Sequence, residues 1–131
     1  MQLQSVLIIT IGIVTTGIIM FSFLSKSNSI NISPEEFKDK LNEDRGVVID
    51  VRTKGEYEDG HLAMTDQQID FMSDNFQDKV EELDKEKTYY LYCRSGNRSG
   101  QAARIMKNKG FEKVYNVGGF GKLARSGFET D

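Results

Sequence analysis

The first 25 residues of this 131-residue chain carry no charged side chain, whereas all 17 Lys and Arg and all 20 Asp and Glu fall between residues 26 and 131. A chain divided in this way answers to two solvents. From Val6 to Leu24 the residues are mostly Val, Leu, Ile, Met and Phe, and at about 1.5 Å rise per residue a helix of that length nearly spans a bilayer core. A cleaved secretory signal is the alternative. It would want a basic start and a small-residue cleavage site, and neither Met1-Gln2-Leu3-Gln4 nor Phe23-Leu24-Ser25-Lys26 supplies them. The expected organisation is an uncleaved transmembrane anchor over 1–25, a polar linker over 26–32 and a folded domain over 33–131. Lys26, Lys38, Lys40 and Arg45 follow the anchor and nothing basic precedes it. The positive-inside rule therefore assigns the domain of a single-pass membrane protein to the cytoplasmic side.

The charged part must hold itself together by its core, because one cysteine excludes an internal disulfide. A net charge of −3 without a basic block argues against nucleic acid as a partner. One Cys and one His cannot complete a zinc shell, so no metal and no cofactor is expected.

Ser33-Pro34-Glu35-Glu36 sets a capping serine before a proline at the first helical position, with a glutamate three residues after the cap. A short helix starts there, turns Phe37 and Leu41 inward, and stops at Gly46. Val47-Val48-Ile49-Asp50-Val51 is a continuous apolar run interrupted by one acid, as suits a central parallel strand covered on both faces. Gln68 to Phe71 reads as a further strand, and Ser73 as the cap of a helix in which Phe76, Val80 and Leu83 recur at helical spacing. Strand Tyr89 to Tyr92, a helix over Ser99 to Lys109 with Ala102, Ile105 and Met106 on one side, strand Val114 to Val117 and a last helix after Gly118-Gly119 complete the chain. Strands and helices alternate, so the fold class is α/β, a mostly parallel central sheet with helices on both faces.

The only cysteine, Cys93, sits in the turn between a strand and a helix, beside Arg94 and Arg98. Backbone N–H groups and the positive end of a helix dipole converge on such a turn. These conditions lower a thiol pKa and make the sulfur a nucleophile. Asp50-Val51-Arg52 ends another strand, and in open parallel sheets ligands collect beyond the C-terminal strand ends. Asp50 is read as a buried acid that orients Arg52, and Arg52 as a residue facing the substrate.

Three segments in order resemble the rhodanese family of sulfurtransferases: Asp50-Val51-Arg52 with Glu56-Tyr57 and Gly60-His61-Leu62; Tyr92-Cys93-Arg94-Ser95-Gly96-Asn97-Arg98-Ser99; and Val114-Tyr115-Asn116-Val117-Gly118-Gly119-Phe120. The resemblance covers about residues 30–128. It implies an enzyme in which Cys93 takes sulfane sulfur from a donor such as thiosulfate, becomes a persulfide, and passes the sulfur to cyanide, a small thiol or a protein acceptor. Arg94, Ser95, Gly96, Asn97, Arg98 and Ser99 would then cradle the persulfide and the anionic donor, with Arg98 as its main cation. His61 would tie loops together.

Related phosphatases resemble Cys-x5-Arg, whereas Cys93 and Arg98 make Cys-x4-Arg, a smaller cradle suited to one extra sulfur atom. A phosphatase-like enzyme and a catalytically weak binding module are the alternatives. Two positions depart from the family pattern. Ala63-Met64-Thr65-Asp66-Gln67-Gln68 stands where the family has Pro-Gly-Ala-x-Asn, and Leu123 stands where it often has tryptophan.

Overall fold

The computed structural model describes residues 29–131. Among these residues no helix is long and apolar enough to cross a membrane. The segment read as an anchor lies outside them.

The elements run α1 (Pro34–Glu43), β1 (Val47–Asp50), α2 (Lys54–Glu58), β2 (Gln67–Gln68), α3 (Phe76–Glu81), β3 (Tyr89–Cys93), α4 (Asn97–Asn108), β4 (Val114–Gly119) and α5 (Phe120–Arg125). The four strands form one parallel sheet in the order β2-β1-β3-β4. Side chains alternate across it. Ile49, Leu91, Cys93 and Val114 pack with Phe76 and Val80 of α3 and Ala102, Ala103 and Met106 of α4. Val48, Tyr90, Tyr92 and Val117 pack on the opposite face with Phe37 of α1 and Leu123 of α5. Helices therefore cover both faces, as the uninterrupted apolar strands require.

Local signals account for most element boundaries. Ser33 Oγ accepts the Glu36 N–H at 3.1 Å, with Pro34 at the first helical position. The helix ends at Glu43, before Gly46. Gly46, at φ +53°, lets the chain pass close to Thr88, whose carbonyl oxygen would lie 2.7 Å from a Cβ placed there. Leu123, in the usual tryptophan position, is completely buried.

Several expectations differ in detail, and helix α2 over Lys54–Glu58, capped by the Thr53 hydroxyl, was not among the expected elements. The strand expected over Gln68 to Phe71 is only Gln67–Gln68. The next helix begins at Phe76 rather than just after Ser73. Asp70 Oδ1 accepts the Met72 N–H at 2.8 Å and Ser73 Oγ donates to Asn75 Oδ1 at 2.6 Å, so local polar bonds hold these residues in turns. Phe76 and Val80 still face the core.

Candidate active site

Cys93 is the last residue of β3, and Gly96, at φ +92°, turns the chain directly into α4. The helix begins at Asn97, two residues earlier than the spacing of its apolar face suggests, so the Cys93 sulfur lies against its first turn. Sγ accepts the Gly96 N–H at 3.0 Å and faces the Ser99 hydroxyl at 3.3 Å. Burial alone would raise the thiol pKa. The Ser99 hydroxyl together with the N–H groups of Ser99, Ser95 and Gly96 outweighs it and brings the pKa below the ordinary thiol value. The Asn97 N–H is directed elsewhere, to Ser95 Oγ at 3.4 Å.

The two arginines flanking the sulfur point to different places. Arg98 donates through Nη2 to both Glu56 carboxylate oxygens, at 3.2 and 2.9 Å, which pins the start of α4 to α2. Arg94 is exposed and lines a cavity of about 670 Å³ with Ser95, Phe120, Lys122 and Arg125. Arg52 also borders this cavity but is 5% exposed. Its Nε lies 3.0 Å from both Asp50 oxygens, and its Nη2 donates to Asp50 Oδ2 and to the Gly60 carbonyl, each at 2.7 Å. Its guanidinium also sits 4.6 Å from the Phe120 ring centre. Burial disfavours the charged guanidinium, yet the bonds and charge of Asp50 prevail and raise its pKa. Arg52, expected to face the substrate, borders the cavity while its Nε and Nη2 are bound to Asp50 and Gly60, because a cation this deep needs a fixed counter-charge.

His61 is not among the residues lining this cavity. Its ring stacks on Tyr57 at 3.8 Å between centres, its Nδ1 lies 2.9 Å from the Tyr57 carbonyl, and its backbone pairs with Asp131. The divergent segment after it also has partners. The Tyr92 hydroxyl accepts the Leu62 N–H at 3.1 Å and bonds Thr65 Oγ1 at 2.8 Å, while burial pushes the Tyr92 pKa up to about 12. Asp66 accepts the Val48 N–H at 2.8 Å.

Beyond the cavity cations Lys122 and Arg125, which no motif marks, two residues that hold the cysteine loop carry only a weak sequence signal. Glu56 stood in the family pattern without a role. Asn116 is a polar residue inside a buried strand, the same signal that had drawn notice to Asp50. Its Nδ2 donates to Gly96 O and Asn31 Oδ1, each at 2.9 Å, and its Oδ1 accepts from Ser99 Oγ at 2.7 Å and from Gly118 N–H at 3.1 Å. The last bond replaces a rung of the ladder. The β3–β4 register slips by one residue there, and the bulge directs Asn116 at the cysteine loop. Beside it Gly119 presses on the loop so closely that a Cβ would lie 2.6 Å from Arg94 O.

The family model described as "Rhodanese-like domain" matches residues 33–125. A Bacillus subtilis protein named "Putative sulfur carrier protein YrkF" is 38% identical over 87 residues, covering 66% of this chain and 45% of its own length. A tRNA uridine(34) hydroxylase of Erwinia tasmaniensis is 32% identical over 120 residues, covering 86% of this chain and 33% of its own. The chain thus spans less than half the length of either relative. The crystal structure of a rhodanese-related protein from Thermoplasma volcanium has the same fold, with a TM-score of 0.66, 23% identity, and 79% of this chain and 98% of that one covered.

Proposed function

The chain belongs to the rhodanese-like domain family, and we propose on that premise that it transfers sulfane sulfur through a persulfide on Cys93. The Cys93 thiolate attacks the outer sulfur of thiosulfate; a new S–S bond forms as the old one breaks, and sulfite leaves with the electron pair of the broken bond. An acceptor thiolate then attacks the outer sulfur of the persulfide, leaves as its own persulfide, and returns Cys93 as thiolate. Neither step consumes an oxidant or a reductant.

The observation that carries this reading is the sulfur environment: one N–H and one hydroxyl aimed at Sγ at the foot of a helix. Arg94, Lys122 and Arg125 outnumber Asp59 and the Arg98-paired Glu56 on the adjoining cavity and support an anionic donor. In this reading Arg98 positions the loop through Glu56, and Asp50 and Arg52 brace its floor. The name of the Bacillus relative supports a protein thiol as one acceptor. Residues 6–24 would tether the domain to a membrane, with the site on the cytoplasmic side.

Mass spectrometry of the full chain after thiosulfate should show about 32 Da added to the Cys93 peptide, the mass of one sulfur on the nucleophile. Absence of this adduct from folded protein overturns the reading. Cys93→Ser should abolish both the adduct and thiocyanate formation from cyanide.

A further inference from the structure

Ser99 has one hydroxyl proton and two acceptors within reach. Its Oγ is 2.7 Å from Asn116 Oδ1 and 3.3 Å from Cys93 Sγ. Asn116 cannot turn its amide over, because Gly96 O and Asn31 Oδ1 both need its Nδ2 while the Gly118 N–H needs its Oδ1. Ser99 and Cys93 are completely buried and Asn116 nearly so. The Ser99 proton therefore serves the sulfur or Asn116, one at a time.

We propose that Asn116 is a positioning residue that sets the acidity of Cys93 by competing with its sulfur for the Ser99 proton. In the thiol form, Cys93 S–H donates to Ser99 Oγ and Ser99 O–H donates to Asn116 Oδ1. Loss of the thiol proton to solvent turns Ser99 O–H onto Sγ and leaves Oδ1 with the Gly118 N–H. The consequence for turnover rests on the sulfur-transfer reading. Once Cys93 carries a second sulfur, the negative charge sits on the outer atom, Sγ is neutral, and the Ser99 proton returns to Asn116. Asn116 thereby favours the loaded cysteine over the free thiolate.

The charged groups around the loop do not enter this exchange. Asp50 and Arg52 at the end of β1 and Glu56 and Arg98 between α2 and α4 are mutually paired, Asp59, Arg94, Lys122 and Arg125 lie on the cavity, and the exposed Arg104 lines the groove on the other side of the loop beside Asn116. All keep their identity in the variants below.

Cys93 is the only cysteine, so the pH dependence of iodoacetamide alkylation of the full chain reports its pKa directly. Asn116→Ala also removes the bond to Gly96 O, so the readout is the difference between its effect with Ser99 present and its effect in the Ser99→Ala background. Asn116→Ala should lower the pKa by about half to one pH unit more with Ser99 present, the size of one hydrogen bond. Asn116→Asp keeps an acceptor for Ser99, a stronger one, while losing the donor to Gly96 O as Ala does, so it should raise the pKa more with Ser99 present, and Ser99→Thr should restore the coupling. Should Asn116→Ala not fold, the Asp variant carries the test alone. Equal effects in both backgrounds, or couplings of the opposite sign, overturn the proposal. Alkylation needs no sulfur transfer, so failure of the functional reading would show separately, as a missing persulfide on the unaltered chain.

Discussion

Arg98 Nη2 lies 2.9 Å from Glu56 Oε2, and this ion pair joins the first turn of α4 to α2 across 42 positions of sequence. The side chains keep 19% and 33% of their surface exposed, so water and salt weaken the pair without abolishing it. Its effect falls on the geometry of the loop that holds the sulfur.

Glu56→Gln should lower stability by about 1 kcal/mol, near the upper end for a partly exposed pair. It should reduce the rate of persulfide formation more than this loss of folding explains. Urea denaturation and single-turnover loading with thiosulfate measure the two effects.

Asp50→Ala leaves the Arg52 guanidinium buried without its counter-charge, which should cost about 3–5 kcal/mol. Replacing both residues by apolar side chains, Asp50→Leu with Arg52→Met, should cost less than the single change. Urea midpoints of the two variants settle the order.

Cys93 should be alkylated with half-maximal rate at a pH below that of a free cysteine peptide, since its pKa is lowered in the fold. The rate falls as pH drops through that value. The same shift links to stability: a group whose folded pKa is depressed adds stability that is fully present above its unfolded pKa and lost as pH falls through the folded one. The stability difference between the chain and Cys93→Ser should therefore shrink as pH falls through this range and become constant on the acid side.

Gly119→Ala places a methyl group against Arg94 O while the Gly119 backbone, at φ −95°, tolerates any residue. The loop itself must move. Destabilisation of about 1–3 kcal/mol is expected, together with at least a tenfold loss of persulfide loading. Retained loading would show that the close approach is not required.

Lys122→Ala and Arg125→Ala should each raise the KM for thiosulfate several-fold with little change in stability, because both cations are exposed on the cavity. Added salt should raise the KM of the unaltered chain and blunt the effect of each substitution.

Periodicity and capping made much of the fold legible. The Ser33-Pro34 start of α1, the buried runs of β1 and β3, and the inward faces of α3 and α4 are where local signals put them. Of the elements that departed, β2 and the start of α3 lie where short polar side chains bond their own backbone, a competition that apolar spacing does not record; α2, capped by Thr53, and the first two residues of α4 carry no apolar repeat that would announce them. Within the site, the run from Cys93 to Ser99 was legible as one loop because its members are adjacent in sequence.

The roles of the charged and polar side chains around that loop were decided only in three dimensions. Nothing in Cys-x4-Arg says that Arg98 turns to Glu56, that Arg52 is taken up by Asp50 and Gly60, or that Arg94, Lys122 and Arg125 share one cavity. By itself the sequence determined the α/β order, the two-sided burial of the sheet and the place of the lone thiol at a strand end, because these follow from residue type and spacing along one segment. Tertiary structure decided which donor meets which acceptor, since a buried hydrogen bond or ion pair depends on the distance between segments that only the closed sheet brings together.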